Sequence, residues 1–197
     1  PVKPAQRSLS AVTWSMHARS QGFPLVMHNV FFDHDYRSEF DDIFAARRLP
    51  RHGTVYVCAQ DRAQGELQQP GAERLLCLVN APATGDERAF DDLETDSCEH
   101  RSFQLLRDCG LTLEFQPHQS VRTTPQQFER LFPATGGALY GRATHGWMSS
   151  FQRPSAKSAL PGLYLAGGSV HPGPGVPMAA MSGRLAAATL MAHLAST

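Results

Sequence analysis

The chain lacks a surplus of either charge: Lys+Arg and Asp+Glu both number 18 in 197 residues. That balance leaves no basic field to attract nucleic acid. Disulfide or zinc spacing is lacking too. Cys58, Cys77, Cys98 and Cys109 form no C-x-x-C pair and sit in apolar or helical surroundings, which predicts reduced, buried thiols in a cytosolic protein. No apolar run reaches the ~20 residues of a membrane span. The final helical stretch comes nearest, and Arg184 and His193 interrupt it. There is no internal repeat, and the opening PVKPAQRSLS carries no initiator Met and no signal-peptide pattern.

What is present reads as mixed α and β. Residues 8–19 and 25–32 are apolar and β-rich, separated by a turn at Gly22-Phe23-Pro24. Residues 35–48 show helical spacing, with Phe40, Ile43, Phe44 and Leu49 on one face, ended by Pro50. Two further strands are expected at 54–58 and 74–79. A long helix is expected at 87–109 with Gly110 just past its end, then a strand at 111–121 and a short helix at 125–131. The acidic cluster Asp33, Asp35, Glu39, Asp41 and Asp42 reads as a solvated helix start, where carboxylates favour the dipole.

From Pro133 to Pro161 glycines alternate without period with aromatic residues, among them Tyr140, Trp147 and Phe151, just after Phe132. Such a stretch either fills core or lines an apolar tunnel or a flavin face.

The richest segment is LPGLYLAGGSVHPGPGVPMAAMSGRLAAATLMAHLAST, Leu160 to Thr197. Leu163 to Ala166 has the short, unalternating apolar character of a buried parallel strand. Gly167 and Gly168 admit a ligand to the main chain without Cβ interference. In His171-Pro172-Gly173-Pro174-Gly175-Val176-Pro177, prolines fix φ while glycines reach conformations other residues avoid. Pro177 suits a helix start, and the helix from Met178 is small-residue rich. Its N-terminus would present free N–H groups and about half a positive charge, suited to a phosphate or to negative charge building on a flavin ring. A complete dinucleotide unit needs a further strand with an acidic residue about 20 positions on. The segment therefore reads as the closing half of a cofactor site, with the opening half in a missing N-terminal part of a longer protein.

Rival motifs fail on detail. A nucleophile elbow needs glycine where His171 stands. A Walker loop needs Gly-Lys-Ser/Thr. An EF-hand from Asp33 would need Gly at Ser38 and Glu at Phe44, so no metal site is expected. Of nine histidines only His171 lies in a site-like loop, where a loop hydrogen bond and a catalytic role are equally open.

GLYLAGGSVHPGPGVPMAAMSGRLAA strongly resembles the C-terminal flavin-binding signature of the carotenoid (phytoene-type) desaturases, within the flavin amine-oxidase superfamily. The segments HNVFF at residue 28, EFDDIF at 39, LVNAP at 78, LYG at 139 and FQRP at 151 resemble that family in the same order, so the resemblance covers nearly the whole chain. The wording of the terminal motif is most similar to the branch that dehydrogenates hydroxylated or methoxylated carotenoids.

That resemblance implies an α/β fold: a mixed-sheet substrate domain over 1–154, and over 155–197 the last strand and helix of a Rossmann-like FAD-binding domain. It implies FAD as cofactor, held by Gly167, Gly168, His171, Pro172, Gly173, Gly175, Val176, Pro177 and Met178. Phe132, Tyr140, Trp147 and Phe151 would flank a carotenoid, drawn by a peripheral enzyme from a membrane surface on the cytoplasmic side. No general base is assigned. The alternatives are another oxidoreductase of the superfamily and a non-catalytic module that binds hydrophobic ligands.

Overall fold

The computed structural model describes residues 2–62, 71–143 and 153–196, so the expected positions Trp147 and Phe151 lie outside the described residues. The chain divides into two compact units, Leu9–Gly137 and Pro1–Ser8 with Ala138–Thr197. The residue 154/155 boundary expected from the sequence falls inside the second of these.

Leu9–Gly137 is built on one long strand. β1 (Ser10–Gly22) pairs with β4 (Glu73–Ala81) over residues 10–18, with β6 (Ser120–Thr123) over 13–16 and with β5 (Leu111–Glu114) over 19–22. β3 (Val55–Ala59) lies against β4, and β2 (His28–Phe31) against β3. Every pairing is antiparallel. The fold class is α/β, as expected, but the sheet among the described residues is antiparallel rather than mixed. Alternation along β4 puts Leu75, Cys77 and Val79 into the core and their neighbours out. α2 (Asp92–Asp108) covers that core with Cys98 and Leu106. Trp14 packs on Phe103 with ring centroids 5.5 Å apart and donates from Nε1 to Glu99 Oε2 at 2.7 Å.

Several elements begin or end away from their expected limits, each for a visible reason. α2 starts at Asp92 because Asp91 and Glu94 form a reciprocal capping box; Gly110 does follow its end, with φ 87°. β2 starts at His28 because the Asn29 amide bonds both backbone groups of Val26 and closes a turn there. The strand expected over 111–121 is split by a helical turn at Pro117–Gln119, since proline contributes no ladder donor. α3 (Pro125–Leu131) forms where expected.

The helix expected over 35–48 is shorter: α1 (Tyr36–Phe40), then one π turn at Asp41–Ala45. Asp35 caps its start by accepting from the Ser38 amide. The acidic cluster, however, is not all solvated. Glu39 and Asp42 are 0% and 1% exposed. Glu39 accepts from the Thr54 amide, the Thr54 hydroxyl and Asn80; Asp42 accepts from Arg48 and from Arg51 side chain and backbone. Buried polar groups need such partners, and these partners draw the chain past the helix into its turn. Ile43 and Leu49 are buried as expected, whereas Phe44 is exposed. Cys58, Cys77 and Cys98 are buried; Cys109, at the end of α2, is exposed, contrary to expectation.

In the second unit, α4 (Val176–Ala195) is the one long helix among the described residues. The parallel strand expected at Leu163–Ala166 is not formed. A strand needs a ladder partner, and among the described residues this segment has one isolated antiparallel bridge, Tyr164 to Lys157, flanked by backbone bonds with Ala156 and Ser158. Leu163 is accordingly 46% exposed. No helix among the described residues is long and apolar enough to cross a membrane.

Candidate functional site: the glycine-rich loop and the start of α4

The loop from Gly167 to Gly175 is fixed by contacts from the rest of its unit. Gly167 donates its N–H to Oγ of Ser182, a fully buried residue in the second turn of α4, at 3.1 Å. The His171 N–H donates to the Pro154 carbonyl at 2.9 Å. Pro172 follows His171 through a cis peptide. Gly173 is buried, while His171, Gly175, Val176, Pro177 and Met178 are exposed and Pro172 is half-buried.

Two features define what this loop can receive. Gly175 has φ 103° and caps α4 without any side-chain hydrogen bond, and the first turn holds no acidic residue. Pro177 brings no N–H, so Val176 and Met178 offer the free first-turn amides. Val176 is 85% exposed. The second feature is Gly168. Unlike Gly167, whose φ is 124°, it has no positive φ, and a Cβ there would come no nearer than 3.7 Å to the Pro174 Cα. Neither backbone conformation nor packing among the described residues demands glycine at 168. The missing side chain instead leaves the main chain open on that side.

Of the aromatic residues expected beside a substrate, Tyr140 in this unit is 46% exposed, and its carbonyl accepts from Arg153. Phe132, in the Leu9–Gly137 unit, is 63% exposed. Sequence reasoning missed two side chains that shape the loop. Arg153 sits within the FQRP segment, and Ser182 hides among the small residues of α4; no spacing rule marks either.

One group among the described residues could converge on a cation: Asp33, His34 and His52. Asp33 Oδ1 lies 2.6 Å from His34 Nδ1 and 3.3 Å from His52 Nδ1. A carboxylate shared by two imidazoles accounts for that convergence without an ion.

No family model matches the chain. It is 71% identical over 196 residues, its whole length, to hydroxyneurosporene desaturase of Rubrivivax gelatinosus, and covers 37% of that protein. It is 48% identical over 190 residues (96% of the chain, 37% of the relative) to hydroxyneurosporene desaturase of Cereibacter sphaeroides. A more distant match, 27% over 183 residues (92% of the chain, 37% of the relative), is 1-hydroxycarotenoid 3,4-desaturase of a Flavobacterium species. The chain thus spans about 37% of the length of these curated relatives. The resemblance to carotenoid desaturases carried by the terminal motif extends over the whole chain.

Proposed function

We propose that this chain is part of an FAD-dependent carotenoid desaturase, an oxidoreductase that introduces a C–C double bond into a hydroxylated acyclic carotenoid during carotenoid biosynthesis. The observation that carries the cofactor reading is Gly168, a glycine whose own backbone does not require it, beside the uncapped start of α4. The names of the 71% and 48% identical relatives support the substrate class.

In this reading Gly167 and Gly168 let the cofactor approach the main chain, and the Val176 and Met178 amides stabilise negative charge on it. Pro172, Gly173, Gly175 and Pro177 set the loop's path, and His171 is held there through its backbone. When bound, flavin would supply the two-electron acceptor for a hydride from one carbon of the polyene, while a proton leaves the neighbouring carbon. Phe132, Tyr140, Trp147 and Phe151 flank the substrate. The other half of the cofactor site comes from sequence outside these 197 residues. Because the substrate partitions into lipid, the protein works at a membrane surface, bound peripherally from the cytoplasmic side.

The test is Gly168→Val in the full-length protein. The wild type should purify yellow and, given hydroxylated carotenoid in liposomes, yield a red-shifted product. The variant should keep its far-UV spectrum and lose the flavin absorbance. Stoichiometric FAD in the folded variant would overturn the placement of the cofactor.

A further inference from the structure

Arg153 is nine-tenths buried, yet its hydrogen bonds go to neutral groups. Nη1 donates to the Tyr140 carbonyl at 3.2 Å and to the Gly168 carbonyl at 3.3 Å. Among the described residues no carboxylate pairs with it. Burying a cation without a counter-charge is costly, so its position calls for a physical reason.

That reason lies in what the guanidinium joins. A single nitrogen bridges two backbone segments 28 residues apart, one of them the leading limb of the glycine-rich loop. The trailing limb lies directly on the same side chain: a Cβ on Gly173 would stand 3.5 Å from Arg153 Nε and 3.8 Å from Cδ. The next residue, Pro154, accepts from the His171 amide at 2.9 Å. The first segment is tied in as well, because a Cβ on Gly141 would stand 2.7 Å from Ser169 Oγ. Arg153 and Pro154 thus hold both limbs of the loop, and Arg153 brings it a positive charge that no carboxylate among the described residues pairs with. A lysine ammonium could donate to the same carbonyls, but it lacks the Nε and flat guanidinium that lie against Gly173 on the trailing limb.

We infer that Arg153 is a positioning residue for the cofactor: its guanidinium locks the Gly168–Gly173 loop in its receiving shape and adds positive potential there. This rests on the flavin reading above. The experiment compares full-length wild type with Arg153→Met and Arg153→Lys. Three quantities are read: FAD affinity by titration of the apoprotein, flavin midpoint potential, and hydrogen exchange of peptides over residues 167–175 and 10–22.

Arg153→Met should weaken FAD binding about tenfold or more, the scale of losing hydrogen bonds to a charged group. Its midpoint potential should move negative, and faster exchange should be confined to residues 167–175. Arg153→Lys should restore the potential but not the affinity. A Met variant with wild-type affinity, potential and exchange would overturn the inference. So would faster exchange spread equally over residues 10–22, which marks a general stability role. If wild type itself takes up no FAD, the flavin reading falls, while the exchange pattern still decides whether Arg153 locks the loop.

Discussion

Asn80 on β4 donates from Nδ2 to Oε1 of Glu39 at 2.8 Å, while Oε2 of the same carboxylate accepts from the Thr54 amide and hydroxyl at 2.9 and 2.7 Å. Glu39 is wholly buried, and this set of donors joins the end of α1 to β4 and to the start of β3. Glu39→Gln keeps the shape but turns one acceptor into a donor facing a donor. Unfolding in urea should show a loss of about 1–3 kcal/mol, the cost of a buried polar group left unmatched. Wild-type stability in that variant would mean the pocket rearranges at no cost.

Asp42 gives a pH signature. Burial pushes its carboxyl up, but hydrogen bonds from the Arg51 side chain and backbone and from Arg48, with the Arg48 charge, outweigh that and hold it at about 2, against an ordinary 3.8. A carboxyl depressed on folding contributes stability that is complete above the unfolded value and disappears as pH falls through the folded one. Stability measured against Asp42→Asn should therefore show a gap that is constant above 3.8 and closes between 3.8 and about 2. A gap unchanged across that window would remove Asp42 as its source.

The pair of buried carboxylates also shows where the sequence was legible and where it was not. Apolar, β-rich runs bounded by turn residues mark β1, β3 and β4, because such side chains pack well on a half-buried sheet. The acidic run around Asp35 gave a helix start, yet Glu39 and Asp42 are inside. Their burial depends on Thr54, Asn80, Arg48 and Arg51, partners 6 to 41 residues away that no local pattern announces. The same holds at the loop. Glycine and proline spelling marked Gly167 to Pro177, whereas Arg153 and Ser182 matter through single contacts made only once the chain is folded. Leu163–Ala166 shows the converse: its apolar letters suit a buried strand, but a strand exists only with a partner.

Cysteine reactivity separates surface from core. Burial pushes the Cys77 thiol up to about 12 and the Cys98 thiol up to about 11, so neither offers thiolate at neutral pH. Cys109 is exposed. Brief iodoacetamide treatment of the native protein at pH 8, followed by peptide mass spectrometry, should label Cys109 well ahead of Cys77 and Cys98. The latter two should react only in denaturant. Equal labelling of Cys77 in the native state would contradict the packing of β4 against its neighbours.

Ser182 links the helix to the loop. Its buried hydroxyl accepts the Gly167 N–H at 3.1 Å, which fixes the first glycine of the loop against α4. Ser182→Ala removes the acceptor and adds no bulk, so Gly167 keeps its φ of 124° but its amide must find another partner. A neutral hydrogen bond of this kind is worth about 0.5–1.5 kcal/mol, too little to unfold a unit that retains the helix. On the proposed function the effect should instead appear at the cofactor. The full-length Ser182→Ala protein should melt within a few degrees of wild type, yet release FAD faster when diluted. Ser182→Thr, which keeps the hydroxyl, should release it at the wild-type rate if the extra methyl is accommodated. Unchanged FAD release in a folded alanine variant would show that Gly167 is held by the loop itself, leaving the Arg153 side of the loop as its remaining anchor.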